Sequence, residues 1–451
     1  MESVVIDVLR TPELQRLRRI RQLGLAHLVF PGAEHSRLTH VLGASWLAVR
    51  FGRQLIDSAR DFLIQTLAPT TISVRDLAVA ALCHDLGHGP LSHAFERMVI
   101  EPFDFDAWTT KLGIPQEDRA DLTGAKWHEV VTAGYLCWPE GQLHQLLEAD
   151  ESHFSDRIRL MLRGQYYPPY LPRLLASDID VDRLDFVRRD THQTGVAYGR
   201  YDLDWLISTC TIGKTDAGNL VVGFDARKAI RVIEQFLIAR AALYDTVYHH
   251  KTVRSAEGMV GLFLKRLRDI VKSTSTAPPI QSSSNLAEPY VRLLSGEALG
   301  QRELLHLDDF SLSVLIESAA TAPGADETVR DLGQRILSRD LFKLVPADPR
   351  RVGEFLRRQD AYPRLHAAIQ PFCRGRAEYY LVVDETKLRM LSDEPEQMVY
   401  VIDEGRHATP IKDHEMFREY WKPQEGLRVF TLADAVGAVK ALVDPTPPRV
   451  H

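Results

Sequence analysis

The sequence predicts a mostly α-helical protein that ends in a small α+β region, and three observations carry that reading. Apolar residues recur at helical spacing through capped segments such as SVRDLAVAALCHDLG and KAIRVIEQFLIARAALYDTVYHHK. Alternating β-branched and aromatic runs, EYYLVVDETKLRML, EQMVYVID and LRVFTL, gather only from Glu378 onward. A length of 451 residues with 45% hydrophobic content is enough to bury a substantial core. Pattern and composition divide the chain into a helical core over 1–272, a flexible linker or loop over 273–285 (STSTAPPIQSSSN), a helical extension over 286–344 and a small α+β region over 345–451.

Composition excludes several function classes. A net charge of -6 argues against a surface built wholly for nucleic acid, so an anionic partner must meet local basic clusters. Cys83, Cys137, Cys210 and Cys373 lie far apart and form no C-x-x-C, which suggests reduced thiols and neither a thiolate zinc site nor a disulfide framework. MESVVIDVLR has no charged-then-apolar signal, and no run approaches the roughly 18 apolar residues of a membrane span. The expectation is a cytoplasmic protein with no membrane partner.

Taken in order, TPELQRLRRIRQLG reads as a helix from Pro12 to Gly24, with Leu14, Leu17 and Ile20 inward and Arg16, Arg18, Arg19 and Arg21 on a solvated face. A loop follows, and RLTHVLGASWLAV resumes as a helix with His35 or Ser36 near its cap and His40 one turn inside. Ser73 and Asp76 cap a nearly continuous apolar helix that delivers His84 and Asp85 to an interior site. Gly87, Gly89 and Pro90 then open the backbone. Neighbouring residues on a helix point about 100° apart, so His84 and Asp85 can reach one ion between them, with His88 one turn above His84. His93 starts the next helix. Residues 101–121 read as an irregular charged surface insertion, and KWHEVVTAGYL begins a helix at Lys126 that carries His128. Thr132 stands where a zincin motif needs its second histidine, so that reading fails.

The stretch SDIDVDRLDFVRRD imitates a calcium loop, but Arg183 replaces the required glycine and Arg189 the terminal glutamate. On a helix, Asp178, Asp182 and Asp185 share one face, an arrangement that needs a cation, basic partners or water. Spacing alone leaves open which of them is a ligand. Lys228 to Lys251 reads as one long helix ending in Arg240, Tyr244, Tyr248, His250 and Lys251, an end suited to an anion.

His40, His84-Asp85 and an aspartate in the 178–185 stretch form the H…HD…D pattern of the HD phosphohydrolase superfamily. RQLGLAHLVFPGAEHSRLTHVLG, LCHDLGHGPLSHAFE, IDVDRLDFVRRDTHQTG, LYDTVYHHK and SRDLFKLV, in that order, are similar to the HD-domain deoxynucleoside triphosphate triphosphohydrolases. The similarity extends to the C-terminal region and includes no SAM domain. It implies a helical HD core over 1–272 and a single divalent metal (Mn²⁺, Fe²⁺, Zn²⁺ or Mg²⁺) on His40, His84, Asp85 and Asp182, with room for further Mg²⁺ carried by the nucleotide. It selects Asp182 among its neighbours. It implies catalytic roles for His93 beside the scissile bond, His88 on phosphate and His128. Arg37, Arg183, Arg240 and Lys251 would clamp the phosphate tail. Gln22, Leu23, Asp190, Tyr248 and Phe186 would hold the sugar, and Tyr244 would bear on base choice. Phe186 stands where the SAM-containing members have tyrosine, and Tyr244 where they have histidine.

The resemblance further implies a dNTP substrate, products of deoxynucleoside and inorganic triphosphate, and a dimer or tetramer, with nucleic acid compatible but not required. Arg16 and Arg18 match effector-phosphate arginines. Arg10 replaces a guanine-reading aspartate, and a guanidinium cannot accept the donors of a guanine edge, so GTP-type activation is expected to be lost. The alternatives are an HD nuclease or phosphodiesterase acting on nucleic acid or a signalling nucleotide, and a non-catalytic nucleotide sensor.

Overall fold

A computed structural model describes residues 2–66, 72–100, 102–273, 287–395, 397–417 and 424–445. Its helices begin largely where the sequence carries caps. After α1 (Glu2–Leu9), α2 (Pro12–Arg16) starts with Pro12 in its first turn and tightens into a 3₁₀ turn over Leu17–Arg19. The helix expected to reach Gly24 therefore ends early. Ile20 is extended, Arg21 bridges Ser36, and the Gln22 amide donates to the His35 carbonyl at 2.9 Å. This strip must run extended to line the entry to the next helix.

The centre is α3 (Arg37–Gln65), α4 (Val74–Cys83) and, later, α9 (Val181–Thr194). The Asp76 amide donates to the Ser73 hydroxyl at 3.1 Å to start α4, and every residue of α4 from Asp76 to Cys83 is buried. The Ser45 hydroxyl of α3 donates to the Ala78 carbonyl at 2.8 Å, which locks α3 against α4. The presumed insertion at 101–121 is partly core. Asp104 caps α5 (Phe105–Lys111), Trp108 packs edge-on against Trp127 at 5.4 Å, and Leu112 and Ile114 are buried. Then come α6 (Trp127–Leu136), α7 (Gln142–Asp150), α8 (Phe154–Leu162) and α9, which Asp180 caps and Gly195, at φ +74°, ends.

A hairpin, β1 (Cys210–Lys214) and β2 (Leu220–Asp225), follows, and the sequence reading did not anticipate it. The long helix expected over 228–251 is three pieces: α10 (Ile230–Leu243), a π turn over Tyr244–Tyr248, and α11 (Lys251–Ser273), which starts afresh after His249. The linker expected over 273–285 lies, beyond Ser273, outside the described residues. Helices α12 (Asp309–Thr321) and α13 (Glu327–Leu337) precede the late strands β3 (Lys343–Leu344), β4 (Leu381–Leu388), β5 (Tyr400–Ile402), β6 (Ala408–Pro410) and β7 (Gln424–Thr431). One sheet has the order β3-β7-β4 and the other β1-β2-β5-β6, with β5 parallel to β2. The C-terminal region thus completes a sheet begun at residue 210 and is woven into the helical body. Among the described residues no helix is long and apolar enough to cross a membrane.

Candidate metal centre and adjoining cavity

Three helix termini meet at one point. The first turn of α3 supplies Arg37 and His40, the end of α4 supplies His84 and Asp85, and the first turn of α9 supplies Asp182. Glycine is required where the chain leaves α4, because a Cβ at Gly87 would lie 1.9 Å from the His128 carbonyl oxygen. Leu91 and Ser92 hold left-handed backbone (φ +56° and +58°). They are pinned there: the Leu91 amide donates to Asp309 at 2.8 Å, and the Ser92 hydroxyl accepts from Arg37 Nε at 2.8 Å.

His40 Nε2 lies 2.9 Å from Asp182 Oδ1 and 3.7 Å from Asp85 Oδ2. His84 Nε2 lies 3.4 Å from Asp85 Oδ1 and 3.6 Å from Asp182 Oδ1. Both Nε2 atoms are buried without a hydrogen-bond partner of proper geometry, although carboxylate oxygens stand close by. The donor atoms therefore converge on a common point instead of on one another. His40 Nδ1 is engaged by Asp185 and His84 Nδ1 by the Ala81 carbonyl, each at 2.8 Å, which leaves both Nε2 lone pairs facing inward. Two imidazoles and two carboxylates suit a divalent first-row ion or Mg²⁺, so the residues fit the implied metal.

The electrostatics agree with the geometry. Burial presses the His40 imidazole towards neutrality, but the adjoining carboxylates of Asp182 and Asp185 lift its pKa to about 10. Burial pushes Asp182 upward, yet His40 and His84 hold it well below the usual range; Arg37, His84 and His88 do the same for Asp85 against the same push. Asp185 was only one of three open aspartates in the sequence. It turns out to be the clamp on His40, itself gripped by Arg189 at 2.7 and 2.8 Å. Asp178 lies before α9, not on its face, and accepts from the Ser392 amide at 2.5 Å.

Beside this centre His88, His93, His128 and Glu96 form a second cluster, whose nearest ligand atoms lie within 4.8 Å of one another. Because α4 ends at Cys83, His88 does not sit a turn above His84. It stacks on His128 at 4.0 Å, with His93 edge-on at 4.6 Å. Glu96, which the sequence reading passed over although it stands three residues after His93, faces His128 Nδ1 at 2.9 Å and His88 Nδ1 at 3.1 Å. Those contacts overcome burial and keep Glu96 ionised. His93 is 55% exposed into the cavity; desolvation, then His88, Arg37 and His128, hold its pKa well below the ordinary imidazole value.

A cavity of about 570 Å³ opens beside both clusters. Arg37, Asp85, His93 and Asp182 line its metal side. Gln22, Leu23, Phe186, Asp190, Tyr244 and Tyr248 line the other. Asp190 accepts from the Tyr248 hydroxyl at 2.7 Å and faces His35 Nε2 at 2.8 Å, while Phe186 and Tyr244 abut the Tyr248 ring at 6.1 and 4.9 Å. The Gln22 side-chain oxygen is buried and has no protein partner. His40, His84, His88 and His128 stand behind this wall.

Several nominated residues are not brought to the cavity. Arg183 turns to Asp180 and the Ser177 carbonyl, Arg240 donates to the Met390 carbonyl at 3.1 Å, and Lys251 is exposed at the start of α11. Arg16 was placed on a solvated, effector-binding face. It is instead buried, donating to the carbonyls of Leu86, His88 and Leu307 at 3.0, 2.6 and 3.1 Å. Its guanidinium braces the loop after α4 and has no face left for an effector phosphate. Arg18 is exposed and donates to Gln15 at 2.6 Å, and Arg10 is exposed beside Asp7. The cations that do line the cavity besides Arg37 are Arg97, Lys126, Arg254 and Lys387, none of which carries a sequence signal.

No family model matches the chain. It is 28% identical over 393 residues to YwfO of Bacillus subtilis, covering 85% of this chain and 76% of that protein. It is 27% identical over 368 residues to the bovine deoxynucleoside triphosphate triphosphohydrolase SAMHD1, covering 76% of this chain and 56% of the relative. The chain thus spans about half the length of the SAMHD1 relatives. A crystal structure of a phosphohydrolase from Bacteroides thetaiotaomicron shares the fold, with a TM-score of 0.70, 22% identity and 94% of each chain covered. Homologues of the chain therefore include SAMHD1 dNTPases and HD domain-containing proteins, which support an HD-type phosphohydrolase.

Proposed function

We propose that this homologue of the HD-domain dNTPases hydrolyses deoxynucleoside triphosphates to deoxynucleoside and inorganic triphosphate. One observation carries the reading: a single cavity is lined by Asp85 and Asp182 of the metal centre, with His40 and His84 behind them, and by the aromatic pair Phe186 and Tyr248 around Asp190. One end suits a phosphoryl group and the other a sugar without a 2′ hydroxyl. A divalent cation on the four ligands would supply Lewis-acid polarisation of the α-phosphate.

The chain's own residues do the remaining work. Arg37, held by Ser92 and paired with Asp85, presents a guanidinium to a non-bridging phosphate oxygen. Water adds at the α-phosphorus and gives up a proton to solvent, the bond to O5′ breaks, and O5′ takes a proton from protonated His93. Desolvation, then His88, Arg37 and His128, hold the His93 pKa low without a ligand; a tetra-anionic tail beside it acts in the opposite direction and raises its proton affinity. Ionised Glu96 holds His88 and His128 in place behind it. Tyr248 and His35 orient Asp190 for the sugar. The buried Arg16 and the charge of Arg10 favour activity without GTP, and the dimer or tetramer implied by the resemblance belongs to the same proposal.

Each dNTP and NTP, offered with Mn²⁺ or Mg²⁺, tests the reading by product. Triphosphate and deoxynucleoside released one for one from dNTPs, without GTP, is the expected result. Release of pyrophosphate or orthophosphate, or cleavage of single-stranded DNA or a cyclic dinucleotide with dNTPs left intact, would overturn it.

A further inference from the structure

The cavity wall can be followed away from the metal ligands. His88 Nε2 is 3.3 Å from Asp85, the His93 ring is 4.6 Å from His88, and His128 is 5.3 Å from His93. Lys126 lies two residues before His128, and Arg97 directly after Glu96. Both line the cavity, as do Arg254 and Glu257 of α11. Glu257 accepts from Arg254 at 2.7 Å and lies 3.5 Å from Arg97, so one carboxylate stands between two guanidiniums. Arg254 is braced from behind by Asp384 of β4 at 2.9 Å. Lys126 forms no ion pair among the described residues.

We infer a second anion subsite in this cavity, formed by Arg97, Lys126 and Arg254 around Glu257, which takes the terminal phosphates of a nucleotide's polyphosphate tail. It rests on the dNTP reading for the identity of the ligand. Glu257 occupies the place between two forked donors that a phosphate oxygen would take, and Lys126 adds a point charge in the same cavity. A tail leaving the α-phosphate past His93 meets these groups in turn. Arg183, Arg240 and Lys251, the tail set implied by the family resemblance, are not among the residues lining the cavity; Arg183 pairs with Asp180 and Arg240 donates to the Met390 carbonyl. Glu257 then acts as a specificity element, since it competes with the tail for Arg97 and Arg254. Burial pushes its carboxyl above the usual range, the direction of a group poorly compensated by its arginines.

The test is calorimetric titration of the metal-loaded full chain, in excess Mg²⁺, with inorganic tripolyphosphate and separately with orthophosphate. Lys126→Ala and Arg97→Ala are each expected to weaken tripolyphosphate about 10-fold and orthophosphate by less than about 2-fold, with the KM for dNTPs rising in parallel. Glu257→Gln is expected to tighten tripolyphosphate. Tripolyphosphate binding unchanged in both alanine variants, or both ligands weakened equally, would overturn the subsite. If the wild type turns over no dNTP yet tripolyphosphate binding depends on Lys126 and Arg97, the dNTP reading falls and the subsite stands. If dNTPs turn over with unchanged KM in both variants, the subsite falls and the reading stands.

Discussion

The metal centre and the group of cations around Glu257 in the same cavity are built by different means. At the metal centre, His40, His84, Asp85 and Asp182 sit on the terminal turns of three buried helices, and a further layer fixes them: Asp185 and Arg189 behind His40, and the Ala81 carbonyl behind His84. Around Glu257, Arg97, Lys126 and Arg254 come from a π turn, a helix start and α11, and Asp384 of a C-terminal strand braces Arg254. A site that must hold several donors on one ion needs rigid neighbours and short local spacing. One that holds a long, flexible anion needs only positive charge along its path. Removing a single group should therefore be severe at the first and graded at the second.

The largest effect is expected at His84 and Asp182. Alanine at either should lower dNTP turnover by about 10³-fold or more, as loss of a Lewis acid does, measured by released triphosphate. Arg37→Ala should lower turnover by about 10²-fold while keeping the metal, since it removes a positioned charge next to the phosphate; equal metal loss in both classes would erase the distinction. Next comes Asp185→Asn, which leaves the ligands in place and loosens His40. Metal affinity should fall about 10- to 100-fold, readable by competition with a chelating dye. An Asp185→Asn protein with wild-type affinity would mean that His40 needs no clamp.

Smaller still is a pH effect on the metal-free chain. The folded pKa of His40 is raised to about 10 by Asp182 and Asp185. The stability it contributes is fully present below the unfolded value of about 6.5 and is lost as pH rises through about 10. The melting temperature of chelator-treated protein should drop between pH 7 and 10, while metal-loaded protein should change less. Matching profiles for the two forms would place His40 outside the centre.

The same contrast explains what could be read from the sequence. His84-Asp85 at the end of an apolar helix, and His40 in the first turn of another, were legible because cap, period and breaker are local signals. Asp182 could not be separated from Asp178 and Asp185 by spacing, since the cap at Asp180 decides which of them are helical. Arg16 misled because a charge run on a helix is normally solvated; here its guanidinium is taken up by the carbonyls of Leu86 and His88 in the loop after α4 and of Leu307, 291 residues along the chain. The helix expected through Lys251 was broken by the π turn at Tyr244, which no apolar period reports. The hairpin at 210–225 gains a further partner strand from residues 400–402, so part of its support lay far along the chain.

The most direct test of the central claim is the count of tightly bound divalent ions per chain, by plasma mass spectrometry, in wild-type protein and in Asp182→Ala. The account predicts one ion per chain in the first and none in the second. Undiminished occupancy in Asp182→Ala would contradict it.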